Sequence, residues 1–259
     1  MKLASWNVNS LKVRLPQLLD WLARHRPDVV CVQETKIEDD KFPALEIATA
    51  GYRSAWSGQK TYNGVAILSR YPLSGVTAGI PGFPDVQKRA LAASIGEGAA
   101  LARVICLYVP NGQAVGTDKY EYKLSWLAAC RSWLGLELKE TARVAVLGDY
   151  NVAPTDEDVH DPEAWHGRVL CSAPERDAFR NLLALGFKDA FRLFTHEKQS
   201  FTWWDYRMNA FKRNFGLRID HVLLSSELAS RCRACAIDAV PRGAERPSDH
   251  APIVAELDL

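Results

Sequence analysis

Six short apolar runs, each closed by polar or turn residues, recur along the 259-residue chain: Val29–Val32, Val65–Leu68, Val104–Leu107, Val144–Leu147, Ile219–Leu224 and Ile253–Ala255. Their hydrophobicity is continuous rather than alternating, which predicts strands covered on both faces. Helical periodicity lies between several of them. Leu15, Leu18, Leu19 and Leu22 follow i, i+3, i+4, i+7 spacing, with Pro16 placed in the first turn and Pro27 beyond the end. Asp118 and Glu121 open a second pattern carrying Tyr122, Trp126, Ala129 and Trp133. Ser172-Ala-Pro-Glu175 reads as a capping box, and Gly186 suits the stop of the helix it starts. The stretch Ala153 to Leu170, rich in Asp, Glu, Pro and Gly, reads as a long surface loop of the kind that often carries function. No linker or charge run divides the chain, so residues 1–259 are expected to form a single domain of sheets flanked by helices.

Composition narrows the class further. A hydrophobic fraction of 47% with 24% charged residues is that of a globular chain with an ample core. Lys+Arg 32 against Asp+Glu 31 gives no global basic field, although a local patch remains compatible with that balance. The N-terminal residues lack the apolar stretch of a secretory signal and no run of about 18 apolar residues occurs, so a cytoplasmic protein without a membrane partner is expected. The six cysteines read as structural thiols. Cys232-Arg-Ala-Cys235 has metal-ligand spacing, but a tetrahedral zinc site needs a second pair that the chain lacks.

Polar residues gather where the apolar runs end. Gln33-Glu34-Thr35-Lys36 follows the first, Tyr108-Val-Pro-Asn111-Gly112 the third and Gly148-Asp149-Tyr150-Asn151 the fourth, while Ser248-Asp249-His250 precedes the last. In open α/β sheets, sites form outside the carboxyl ends of strands. Glu34, Asp149, Asp220 and Asp249 are hard oxygen donors, with Asn7, Asn9 and Asn151 as amide partners. Such a set suits Mg²⁺ or Mn²⁺ better than zinc. No G-x-S-x-G elbow, P-loop or GxGxxG is present. A carboxylate-held metal, one histidine and amides suit hydrolysis of a phosphate ester.

Trp6-Asn7-Val8-Asn9, Gln33-Glu34-Thr35-Lys36, Gly148-Asp149-Tyr150-Asn151, Gly216-Leu217-Arg218-Ile219-Asp220 and Ser248-Asp249-His250 occur in that order across almost the whole chain. Together they resemble the exonuclease III family of DNA-repair nucleases, within the endonuclease/exonuclease/phosphatase superfamily. Gly58-Gln59-Lys60, Gln87-Lys88-Arg89 and Phe201-Thr-Trp203-Trp204-Asp-Tyr-Arg207 add to that likeness. The resemblance implies a four-layer α/β sandwich of two packed mixed sheets flanked by helices, deoxyribonuclease I-like, with the site at one edge.

It also implies roles. Glu34 is expected as principal Mg²⁺ ligand with Asn7 assisting, and Asp249 as a candidate second ligand. The whole ion-holding set is Glu34, Asn7, Asp149, Asn151, Asp249 and His250. Asp149 is expected to orient or deprotonate the attacking water, with Asn151 beside it. His250 is expected to contact the phosphate, Asp220 to fix its tautomer, and Tyr108 to donate to a phosphate oxygen or aid the leaving group. Lys36, Lys88, Arg89, Trp203, Trp204, Arg207, Lys212 and Arg218 are the expected DNA contacts. Trp204 brings a bulkier ring than the phenylalanine common in the family, and with His166 it bears on how an abasic sugar fits.

The expected activity is Mg²⁺-dependent (Mn²⁺ as a substitute) 3′→5′ exonuclease and 3′-end processing of double-stranded DNA, including 3′-phosphatase, together with cleavage at abasic sites. An end-processing enzyme without abasic-site cleavage is the alternative, ahead of another phosphate esterase and a non-catalytic nucleic-acid-binding regulator of the same fold. The expected partner is duplex DNA with damaged or recessed 3′ ends or abasic sites. Nothing reads as an association motif, so a monomer is the default.

Overall fold

A computed structural model describes residues 1–97 and 102–259. The first half of the chain forms strands β1 (Lys2–Asn7), β2 (Val29–Gln33), β3 (Arg53–Ser57), β4 (Val65–Ser69), β5 (Leu73–Ala78), β6 (Ala90–Ile95) and β7 (Ala102–Tyr108). Its helices are α1 (Leu11–His25) and the short α2 (Ala44–Thr49). The second half adds α3 (Asp118–Glu140), β8 (Val144–Asp149), α4 (Pro162–Trp165), α5 (Ala173–Leu183), β9 (Lys188–Asp189), β10 (Trp203–Trp204) and β11 (Gly216–Leu217). It closes with β12 (Asp220–Leu224), α6 (Ser226–Ala229), β13 (Cys232–Ile237) and β14 (Ile253–Leu257).

Two six-stranded sheets result, ordered β13-β14-β1-β2-β4-β3 and β5-β6-β7-β8-β12-β9. Each contains one parallel pair, β1 with β2 and β7 with β8, and the remaining pairs are antiparallel. A parallel pair needs a crossover. Helices α1 and α3 supply the two crossovers and cover the outer faces, giving the four-layer α/β sandwich expected.

The strands' continuous hydrophobicity now has its reason. Along β2, Val29 and Cys31 enter the core between the sheets, whereas Val30 and Val32 pack under α1 with Leu11, Leu18, Trp21 and Leu22. Along β8, Ala145 and Leu147 face the other sheet, and Val144 and Val146 meet Trp126, Trp133 and Leu134 of α3. Helix α1 starts earlier than its leucine spacing indicates, so Pro16 lies inside it rather than in its first turn. The capping box at Ser172 forms as expected, opening α5.

Topology fixes where the chemistry gathers. The parallel strands β1, β2, β7 and β8 end at Asn7, Gln33, Tyr108 and Asp149, and the antiparallel β12 begins at Asp220, directly opposite Asp149. Carboxyl ends of one set and amino ends of the other therefore share an edge. Gly148 permits the approach at this point, because a Cβ there would meet the Leu107 carbonyl oxygen at 1.9 Å.

Candidate active site

Asn7, the last residue of β1, donates through Nδ2 to both Glu34 Oε1 and Asp149 Oδ2, each at 2.9 Å. One amide thus ties the end of the first sheet to the end of the second. Its Oδ1 accepts from the Asn9 backbone N–H at 2.9 Å, which orients the amide with its donor toward the two carboxylates. Glu34 follows β2 in a left-handed conformation (φ 54), which turns its carboxylate toward Asp149. Such backbone costs energy for a non-glycine residue and recurs at functional sites. Lys36 Nζ lies 2.7 Å from Glu34 Oε2 and 2.5 Å from Asn9 Oδ1.

Asp149 is buried and receives the Asn151 backbone N–H on Oδ1 at 2.9 Å. The Asn151 side chain donates to Val109 O at 3.0 Å and to Asp149 Oδ2 at 3.3 Å, and its oxygen accepts from Asn111 Nδ2 at 3.0 Å. Burial pushes the Asp149 carboxyl up to about 7; the His250 charge opposes this and Asp220 adds to it. Two carboxylates converge here with Asp149 poorly compensated, which is an environment that attracts a cation.

His250 Nδ1 lies 2.8 Å from Asp220 Oδ2, and its Nε2 lies 3.7 Å from Asp149 Oδ2. Asp220 is itself set by Thr202, whose Oγ1 accepts the backbone N–H of Ile219 and Asp220. Ser248 Oγ donates to Asn7 O at 2.6 Å and accepts the His250 N–H at 3.2 Å, which pins the histidine loop to β1. Burial lowers the imidazole's affinity for a proton, but Asp220 and Asp149 outweigh it and lift the ring to about 10. Burial, then the Glu34 and Asp149 charges, hold the Tyr108 phenol well above its ordinary range, so it remains a donor.

Glu34, Tyr108, Asn111, Asp149, Asn151 and His250 line a cleft of about 340 Å³ walled by Trp165, Val169, Leu170 and Trp203. Among the described residues, Glu34, Asp149 and His250 each offer a ligand atom within 4.8 Å of the others. Hard oxygen donors dominate that set, which fits Mg²⁺ or Mn²⁺.

Several sequence-based expectations are corrected. Asp249 lines the same cleft but lies outside the close trio of Glu34, Asp149 and His250, and its Oδ1 accepts from Asn9 Nδ2 at 2.9 Å and its Oδ2 from Trp203 Nε1 at 3.0 Å. Arg218 is 1% exposed and ion-paired with Asp158 at 2.7 Å and Asp189 at 2.8 Å, so it cannot reach DNA. Trp204, 3% exposed, packs edge-on against Phe211 and donates to Asn214. Strand alternation sends Trp203 into the cleft and Trp204 into the core, so the bulk of Trp204 does not narrow the site. His166 is exposed and lies outside the cleft-lining residues. Lys36 is engaged with Glu34. Lys88 and Arg89 are partly exposed, with Arg89 over the Tyr108 ring at 4.7 Å, and Arg207 and Lys212 are exposed.

Sequence reasoning passed over Asn111, Ser248, Thr202 and Trp165. Asn111 and Ser248 carried a signal, since each sits in a polar segment at the end of an apolar run. Thr202 lies in the Phe201–Arg207 stretch that adds to the family likeness, and Trp165 carried no signal.

The family model described as "Endonuclease/Exonuclease/phosphatase family" matches residues 4–250. Exodeoxyribonuclease III of Haemophilus influenzae is 35% identical over 266 residues, covering 99% of this chain and 100% of that protein. Among solved structures, the 3′ phosphatase NExo from Neisseria bound to a product DNA hairpin superposes with a TM-score of 0.96 at 45% identity, covering 100% of both chains. An AP endonuclease from Archaeoglobus fulgidus superposes with a TM-score of 0.95 at 38% identity, again over 100% of both. By its site, its fold and this match along nearly its whole length, the chain belongs to the endonuclease/exonuclease/phosphatase family.

Proposed function

We infer that this chain is a DNA-repair nuclease of the exonuclease III type, a Mg²⁺-dependent phosphodiesterase that trims and unblocks 3′ ends of duplex DNA and cleaves at abasic sites. The observation that carries the reading is the convergence of Glu34, Asp149 and the Asp220-backed His250 on one cleft. A phosphodiester is anionic and gathers further charge on oxygen as it reacts, so fixed donors must sit where that charge develops. The protonated His250 Nε2 and the Tyr108 hydroxyl are two such donors. Asp149, held by Asn7 and Asn151, takes the proton of the attacking water. Glu34 and Asp149 would hold the divalent ion, which supplies Lewis-acid stabilisation of the phosphate when bound. A protonated His250 has no lone pair at Nε2, which favours phosphate contact over ligation.

A site that directs water at phosphorus needs only a phosphorus at the same place, so 3′-phosphatase action belongs to the same reading. The Haemophilus relative's name and the Neisseria and Archaeoglobus structures favour DNA over lipid or poly(A) phosphate esters. A non-catalytic regulator is disfavoured because such a protein would be expected to have lost carboxylates or the histidine, and the chain carries Glu34, Asp149, Asn151, Asp220 and His250. Six free, buried cysteines suit a reducing cytoplasm, and among the described residues no helix is long and apolar enough to cross a membrane. Purified protein assayed on a 3′-recessed duplex and on a duplex with an internal abasic analogue tests the reading. Hydrolysis of both, lost in EDTA and regained in Mg²⁺, is expected. Hydrolysis of the recessed end alone would restrict the enzyme to end processing, and hydrolysis of neither would end the nuclease reading.

A further inference from the structure

The capping box at Ser172 does more than start a helix. Its Glu175 is fully buried and faces Lys123 of α3, also fully buried, at 2.5 Å. Lys123 Nζ donates in addition to Asn151 O at 2.6 Å and Asn111 O at 3.1 Å. Glu175 accepts the backbone N–H of Leu170 and of Ser172, and the Ser172 hydroxyl. Tyr120 Oη lies 2.6 Å from that same hydroxyl. The Lys123 stem packs tightly beneath Gly112, where an added Cβ would come within 3.1 Å of its Cδ.

One ion pair therefore joins two helices to three pieces of the cleft: Asn111, Asn151 and the Leu170 wall. A helix cap alone needs neither the lysine nor the burial. Buried ion pairs are poor sources of stability, since well-packed apolar residues often do as well or better in their place. What an ammonium provides that a methionine would not is fixed direction toward three oxygens. The turn it holds is strained, with Asn151 in the left-handed region at φ 49, and this turn aims the backbone N–H that grips Asp149 at 2.9 Å.

We propose that Lys123, paired with Glu175, is a positioning residue for hydrolysis: it holds the Asn151 turn, and through it the Asp149 carboxylate, in register with the cleft. This rests on the nuclease reading above, and wild-type activity on a 3′-recessed duplex tests that reading separately. With wild type active, the Lys123→Met/Glu175→Met double variant removes both charges and leaves neither orphaned. It is expected to fold with a lowered melting temperature, because the Asn111 and Asn151 carbonyls and the Leu170 and Ser172 N–H groups lose buried partners. It is also expected to keep KM for the duplex within about threefold and to lose kcat about 10–100-fold. Backbone amide exchange at Asn151 should quicken in the same variant. A folded double variant with kcat within twofold of wild type, or with KM raised and kcat intact, would overturn the proposal. If the double variant does not fold, Glu175→Gln serves, with the same split expected and unchanged kcat counting against it. If neither folds, the pair is a folding determinant and the positioning role is rejected.

Discussion

His250 and Asp220 form a buried pair, Nδ1 to Oδ2 at 2.8 Å, that anchors the imidazole from behind and turns its other nitrogen toward the cleft. The carboxylates around the ring outweigh its burial and lift it to about 10. Asp220→Asn keeps the anchor's shape and removes its charge. The His250 titration followed by NMR should then fall toward the ordinary histidine value of about 6.5. Hydrolysis should fall about 10–100-fold. An unmoved titration with wild-type turnover would show that Asp220 does not act through the ring. Stability follows the same sign. A folded-state value above the unfolded one stabilises fully below about pH 6.5 and fades as pH rises through about 10. The melting difference between wild type and Asp220→Asn, both metal-free, should shrink across that window.

Metal binding should release a proton. Burial holds Asp149 at about 7, so near neutrality the carboxyl is partly protonated and must ionise to meet a cation. Mn²⁺ titration by calorimetry, in two buffers of different ionisation heat, is expected to show proton release at about pH 6.5 that fades by about pH 8.5. Affinity should rise with pH by at most about tenfold per unit below 7. Affinity independent of pH over that range would contradict the assignment of Asp149 to the ion.

Arg218 should matter to folding and not to DNA. Its removal strands the buried Asp189 and leaves Asp158 with Arg192 alone, a change that costs about 3–5 kcal/mol. Arg218→Met should lower the denaturation midpoint accordingly while leaving the salt dependence of DNA binding unchanged. Burial opposes ionisation of both acids, but Arg218 outweighs it and holds both below their usual range. The stability they contribute is therefore present above about pH 3.9, the unfolded value, and is lost as pH falls through their folded values. The variant's deficit should narrow in strong acid.

Arg207 and Lys88 should behave in the opposite way. Arg207, 84% exposed at its side chain, has its guanidinium held by Asp205 beside the cleft wall at Trp203. Substituting either Arg207 or Lys88 with alanine should reduce the slope of log affinity against log salt by about 1 and leave the melting temperature within about a degree. An unchanged slope would remove that residue from the DNA surface.

These contrasts mark where sequence reading succeeds. Strands such as β2 and β8 were legible because each is sandwiched between two cores, and that requires unbroken apolar runs. Strands β5 and β13 were not, because they lie at sheet edges, and the exposed residues of β5 (Ser74, Gly75, Val76) carry no burial pattern. Glu34, Asp149 and His250 stood out because each ends or precedes a buried strand. Arg218 misled for a different reason: the acids that bury it, Asp158 and Asp189, lie far away in sequence, so locally it reads as a surface cation. Trp203 and Trp204 could not be separated, since which ring faces outward depends on register with β11. Glu175 looked complete as a cap, and its second partner lies on another helix.

Asp149→Asn tests the central claim most directly, because it changes one charge at the point where both sheets deliver their residues. Single-turnover hydrolysis of a 3′-recessed duplex in saturating Mg²⁺, with folding verified by circular dichroism, is the measurement. A loss of about 10²–10⁴-fold at an unchanged melting temperature is expected. A well-folded variant hydrolysing within a few-fold of wild type would contradict it.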